Sequence, residues 1–421
     1  MGFLSDYEAV AVGIADPKQA AQARAGLVRE WLGARPKELF DELREQRPIF
    51  LAPGLAIVTR HTDVREVLAQ DRVFSVRPYT ARMERTTGPF LLGMARTPQY
   101  DREVSVLRLA CPREDLPTIT RLVATWAEEL LSEATRKGRL DLVSDYARLV
   151  PTRLVARYFG VPGPNERALM GWLRPLFHDI FINLGDDPTV RAAATAAAAS
   201  LREHLDGLIA ARHAESDSGA DDVLSRLVRL QGNPLSRLDD EGIRRNIGGL
   251  IVGAVETTSR SFVQAIDQLL DRPEHLAAAQ AAACAGDDRL VSASLFEAMR
   301  FNPQNPFLYR LCEEPHTLAA GTDRQTTIPA GTLVFAATLS AMFDPAQLKN
   351  PGEFRTDRPA EDHLFFGYGL HACFGRYISP VQLLELARPL LRLKGLRRAG
   401  GEEGRIRYDG PFPDALWLDI A

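Results

Sequence analysis

The chain has 421 residues, 45% hydrophobic and 25% charged, which is enough to bury a large core and ordinary for a globular protein. Its formal net charge of −4 offers no basic field for a polyanion, which argues against nucleic acid as a partner. Four scattered cysteines (Cys111, Cys284, Cys312 and Cys373) contain no CxxC pair, so neither a disulfide framework nor a zinc ribbon is expected.

No basic region precedes an apolar run at the N-terminus, where Asp6 and Glu8 interrupt the pattern. The alanine-rich run at residues 191–201 is too short and too mildly apolar to span a bilayer. A cytoplasmic protein with no membrane partner is therefore expected.

In chain order, apolar and β-branched runs around a Pro-Gly turn predict a hairpin at residues 48–59, followed by a short helix at 61–70. Apolar spacing of three and four then predicts helices at 119–134, 142–159 and 166–182. High alanine content predicts another at 190–212. Residues 239–270 hold the longest helical pattern, with few charges between Asn246 and Thr257, which marks a buried central helix. A helix at 291–301 ends at Asn302-Pro303, and strand signals return at 317–339. The irregular stretch at 342–373 is too long and too aromatic to be a mere linker, and a last helix is expected from near Gly375 to Leu393. The fold class is mainly α with minor β, with no repeat or linker that separates domains.

Three motifs carry chemistry. Residues 366–375 read FGYGLHACFG, a cysteine among glycines just before a helix start. Glycines let a backbone turn sharply and approach a flat group. A helix N-terminus stabilises a thiolate, and a thiolate on iron favours O–O cleavage. The second motif, Glu297-Ala298-Met299-Arg300, puts an acid and a base on one helix face. The third is Gly253-Ala254-Val255-Glu256-Thr257-Thr258 in the central helix. There, small residues leave room beside the helix, a hydroxyl can disturb the ladder, and an acid can renew protons.

The first motif resembles the cytochrome P450 haem loop, FxxGxxxCxG, through Phe366, Gly369, Cys373 and Gly375. The second is similar to the family's ExxR, and the third to its [AG]GxxT signature. The resemblance covers nearly the whole chain in the family's order and implies one catalytic domain without a fused reductase. It implies a helix-rich triangular prism with haem b between a long central helix and the cysteine-loop helix. Cys373 would be the iron ligand, with Phe366, Gly367, Gly375 and Ala254 against the haem and Glu256 and Thr257 catalytic. Glu297, Arg300 and Arg358, in the meander after Phe343-Asp344-Pro345, would lock the loop.

The chain departs from the family in two places. Where an early helix carries PxHxxxR, this chain has Pro98-Gln99-Tyr100-Asp101-Arg102-Glu103-Val104, so Tyr100 replaces the histidine and Val104 the arginine. Arg102 or Arg108 could substitute, and His371 and Arg310 match better-placed propionate partners. The meander reads Met342-Phe343-Asp344 where bacterial members often have Asn-Arg-Asp.

The resemblance implies a monooxygenase that inserts oxygen into an apolar small molecule, with electrons from a ferredoxin or flavodoxin and its reductase. Those would dock near the cysteine loop, around Arg376. The alternatives are a P450-type hydroperoxide isomerase or peroxygenase that needs no electron partner, and a haem sensor or carrier. Phe90, Leu91, Leu92, Met94, Phe177, Phe181, Ile182, Leu250 and Phe307 would make the pocket apolar. The remaining histidines are read as ordinary bystanders, and the other three cysteines as buried small hydrophobes.

Overall fold

The computed structural model describes residues 2–214 and 219–421. It divides into two compact units, residues up to Pro78 with Arg300–Cys373, and Tyr79–Met299 with Phe374–Ala421.

In the first unit, helices Pro17–Ala34 and Pro36–Gln46 each begin on a proline, whose missing N–H is harmless in a first turn. Asp16 caps the former, accepting from the Lys18 N–H at 2.9 Å. With Phe3–Ala9 they pack an edge-to-face cluster of Phe3, Trp31 and Phe50. The expected hairpin is present: Ile49–Ala52 pairs antiparallel with Leu55–Val58, and Gly54 supplies the turn at φ 73°. A five-stranded sheet runs Ile49–Ala52, Leu55–Val58, Leu333–Ala336, Leu308–Cys312, Phe74–Ser75. Residues 317–339 are less regular than expected. They form a small pair, His316–Leu318 with Thr326–Ile328, then Leu333–Ala336, and turn helical at Thr338–Ala341. The Ala337 N–H makes a last strand bond to the Val58 carbonyl, and the Ala337 carbonyl then accepts from Ala341.

The second unit is built on the 31-residue helix Asp240–Leu270, capped by Asp239, which accepts from the Gly242 N–H at 2.7 Å. It is surrounded by Leu149–Arg157, Glu166–Phe177, Pro188–Ala214, Val223–Gln231 and Ser379–Leu391. The predicted helix at 142–159 is divided into a wide π turn, Val143–Ala147, and Leu149–Arg157. Pro151, which lacks a donor, is tolerated because it sits in the new first turn. The helix read as 166–182 likewise ends at Phe177 and continues as a π turn, His178–Ile182. The last helix starts later than expected, at Ser379 with Pro380 in its first turn, after a tight turn at Phe374–Tyr377. Arg407–Asp409 and Phe412–Ala415 form a hairpin close to the chain's end. Among the described residues, no helix is long and apolar enough to cross a membrane.

Candidate active site

The cysteine loop lies in the first unit. The Cys373 N–H donates to the Phe366 carbonyl at 2.8 Å, closing a loop whose Gly367 and Gly369 stand at φ 71° and 73°. A side chain at Gly369 would bring its Cβ to 2.5 Å from the Leu68 carbonyl oxygen, so this glycine is required for the close approach as well as for its φ. Tyr368 anchors the loop, its ring 4.3 Å from the Arg65 guanidinium and its hydroxyl accepting from that arginine at 2.7 Å. Cys373 and Phe366 stay half-buried. His371 and Arg310 are buried at 7% and 3% exposure, and Arg310 donates to the Tyr309 carbonyl at 2.8 Å.

Of the other cysteines, Cys111 and Cys312 are buried as read, but Cys284 is not. Burial pushes the Cys111 thiol up to about 12 and raises Cys312, which keeps both protonated, while Cys284 is exposed. Among the described residues there is no cluster of three histidines, cysteines or acids that could hold a bare metal ion. A single thiol in a glycine loop suits an iron that brings most of its donors with it, as haem does.

The meander is held by two arginines. Arg300, fully buried, donates to the carbonyls of Met342 at 3.0 Å and Glu353 at 3.1 Å. Arg358 donates to Lys349 at 3.0 Å, Asn350 at 2.9 Å and the same Glu353 carbonyl at 3.1 Å. Both forks therefore converge on one peptide group. Glu297 is 1% exposed. The Asp344 carboxylate, the surviving acid of the altered meander motif, accepts from Arg60 at 2.8 Å and the His61 N–H at 3.0 Å.

In the second unit, the central helix is buried on nearly every side between Asn246 and Ile266. Within that stretch Leu250, Gly253, Ala254 and Thr257 keep partial exposure. Their spacing of three and four puts them on one face, so the protein's own packing leaves one strip of small and apolar residues accessible. The Thr257 hydroxyl donates to the Gly253 carbonyl at 2.5 Å, loosening the ladder in the middle of that strip.

Glu256, next to Thr257, points elsewhere and is 1% exposed. Its carboxylate accepts from Arg148 at 2.7 Å and lies 3.4 Å from Arg174. Those two arginines, with Arg260 one turn further along the helix, escape a reading of the sequence. Arg148 sits 108 residues from Glu256 and belongs to no motif.

The early helix, Pro98–Ala110, explains its own departure. Glu103 is 6% exposed and accepts from Gln99 at 2.8 Å, Arg245 at 2.7 Å and Asn246 at 2.7 Å, tying this helix to the central one. Tyr100 is 5% exposed, while Arg102 lines a polar cleft of about 450 Å³ with Arg237 and Arg245. Of the pocket candidates, Phe90, Leu91 and Phe177 are covered, whereas Phe181, Leu250 and Phe307 keep partial exposure. Phe90 lies flat against Gly249, where a Cβ would come within 2.2 Å of its ring. Phe307 packs its ring against Phe40 and Phe335 in the first unit.

The architecture is that of solved P450 structures: CalO2 at TM-score 0.79 and 21% identity, over 93% of this chain and 97% of that one, and the ligand-free cytochrome P450 TbtJ1 at 0.76 and 24%, over 92% and 98%. The Cytochrome P450 family model matches residues 174–392, and the chain belongs to the cytochrome P450 family. It is 30% identical to the cytochrome P450 monooxygenase PikC of Streptomyces venezuelae over 69% of this chain and 64% of that protein. Identity to the mycinamicin IV hydroxylase/epoxidase of Micromonospora griseorubida is 28%, over 88% and 90%. A bifunctional dioxygenase–epoxy alcohol synthase of Fusarium oxysporum is 30% identical over 68% of this chain and only 25% of that protein.

Proposed function

We propose that the protein is a haem-thiolate monooxygenase that hydroxylates or epoxidises an apolar small molecule. The relatives named a monooxygenase and a hydroxylase/epoxidase support that reaction class. Haem b, ligated by the Cys373 thiolate, would supply oxygen activation and electron transfer. His371 and Arg310 are the buried donors suited to its propionates, with Tyr100 and Arg102 on the early helix as further candidates. Phe366, Gly367, Gly375 and Ala254 offer the low, flat contacts a macrocycle needs.

The observation that carries the reading is the placement of Glu256. It is a buried carboxylate held by two guanidiniums, one residue from a hydroxyl on the accessible strip. In this reading Glu256 and the neighbouring Thr257 hydroxyl would together renew protons at the oxygen-activating face, the role the family's acid–threonine pair fills. Hydroperoxide isomerisation needs no such relay. Electrons would come from a ferredoxin or flavodoxin with its reductase. The apolar pocket would draw on Phe90, Leu91, Phe177, Phe181, Leu250 and Phe307.

The test compares haem-loaded wild type and Glu256→Gln with a surrogate ferredoxin and reductase. Turnover should fall by about 10²-fold or more, with a larger solvent isotope effect and more hydrogen peroxide per electron pair. Fast multiple turnover of linoleate hydroperoxide without any electron donor, unchanged in Glu256→Gln, would overturn the proposal.

A further inference from the structure

Around Glu256 the count of buried charges does not balance. Arg148, Arg174 and Arg260 face one buried carboxylate. The nearest other acids, Asp409 at 3.6 Å and Asp414 at 3.9 Å from Arg174, have side chains 72% and 37% exposed, and Asp414 is shared with Arg407. Arg260 follows Glu256 by one helical turn, so the two share a face. The Phe412 ring closes the group from the hairpin, with Arg174 5.0 Å and Arg260 5.6 Å from its centroid.

The hydrogen-bond inventory is also incomplete. The Nε atoms of Arg148 and Arg260, together with Nη1 of Arg260, are buried without a hydrogen-bond partner, and Nε of Arg174 faces Glu256 only at 3.4 Å, outside hydrogen-bond geometry. Arg260 is itself only 9% exposed. An aromatic face offsets part of a cation's desolvation but accepts no N–H bond in these directions. Burial holds Arg260 down at about 10, with Glu256 and Tyr408 opposing and Arg174 adding to the effect. Guanidinium donors stranded in this way cost stability until an acceptor, and preferably a negative one, reaches them.

We propose that Arg260, with Arg174 and Arg148, forms a binding site for a compact monoanion, a carboxylate or a halide, beneath Phe412 and beside Glu256. Water could accept from the stranded N–H groups, but it leaves the surplus positive charge in place. An anion meets both needs through charge-assisted bonds. It also competes with Glu256 for Arg174, which couples its occupancy to how tightly that carboxylate is held. The site stands on the arginine geometry alone, so its test needs no turnover.

The experiment titrates bromide into the haem-loaded protein, with ionic strength held by a bulky sulfonate salt, and follows thermal unfolding. A saturable rise in unfolding temperature is expected, with affinity weakened at least about tenfold in Arg260→Gln, the loss of one charge-assisted contact. In bromide-soaked crystals of the wild type, the anomalous map should show a peak within hydrogen-bonding reach of Arg260. This holds even if the variant does not fold. An identical salt response in both proteins, or an anomalous map with no peak at Arg260, would overturn the proposal. Acetate, hexanoate and decanoate then separate the two sources. Affinity that climbs with chain length and shifts the haem absorption band assigns the site to a substrate carboxylate, and affinity indifferent to length assigns it to a solvent anion.

Discussion

The cysteine loop and the acid on the central helix are built in different ways. The loop's shape is set locally, by a single backbone bond from Cys373 to Phe366 and two left-handed glycines, and Arg65, 303 residues away, braces Tyr368 from outside. The setting of Glu256 is assembled largely from afar, by Arg148 and Arg174 on two other stretches of the second unit, by Arg260 one turn along its own helix, and by a ring on the terminal hairpin. A ligand loop must hold one atom at one place, which short-range geometry does well. A buried carboxylate needs opposite charges beside it, and those can come from any part of the chain.

The most severe way to break this comparison is at the loop. Cys373→Ser should leave unfolding nearly unchanged, because the shape depends on backbone and glycines, while the thiolate signature of the reduced carbon monoxide complex and all monooxygenase turnover disappear. A folded variant that retains the signature would show that another residue ligates the iron. Arg300→Ala comes next. It removes the donor from the buried Met342 carbonyl and one of two donors from that of Glu353, and about 2–5 kcal/mol of stability should be lost in urea unfolding, with haem retention falling alongside. A smaller loss would mean that Arg358, which shares the Glu353 carbonyl, holds the meander by itself.

What was legible in the sequence follows the same division. The central helix and the hairpin at residues 48–59 were readable because their periodicity and turn residues are consecutive. The three N-terminal helices were not read, although Asp16-Pro17 and Pro36 are start signals of ordinary strength. The strand Leu308–Cys312 was missed because Tyr309, Arg310 and Cys312 are all buried, so alternation gives no sign. The late start of the last helix was readable in Pro380, yet the glycine after the cysteine is the more conspicuous boundary. At the site, the motif residues lie where a motif can put them. Arg148, Arg174, Arg260 and Glu103 are single polar residues in helical stretches, and nothing in their neighbourhood in the sequence distinguishes a buried charge from a solvated one.

A milder test concerns the wall of the central helix. Gly249 exists to let the Phe90 ring lie on the helix, so Gly249→Ala should cost about 1–3 kcal/mol by overpacking. Pairing it with Phe90→Leu should recover most of that loss in a double-mutant cycle. Independent, additive costs would show that the ring yields easily and that Gly249 is there for some other contact.

The smallest effect is the most informative about distant tuning. His178 lies half-buried and edge-on to Phe412, at 5.5 Å between ring centroids. Burial lowers its pKa below the usual imidazole range, Asp179, Asp187 and Asp409 oppose that shift, and Arg260 adds to it. Its folded pKa therefore lies below the unfolded value of about 6.5. The stability it contributes is complete above that pH and is lost as the pH falls through the folded pKa. The slope cannot exceed about 1.4 kcal/mol per pH unit. Urea midpoints at pH 8 and pH 5.5 should thus differ more in the wild type than in His178→Gln. Saturating bromide should reduce the wild-type difference, because an anion beside Arg260 weakens the cation that disfavours protonation. If the variant keeps the full difference, the titration belongs to another group and the hairpin does not tune this face. If bromide acts equally on both proteins, the linkage between His178 and the arginine cluster is absent, even though the two share the Phe412 ring.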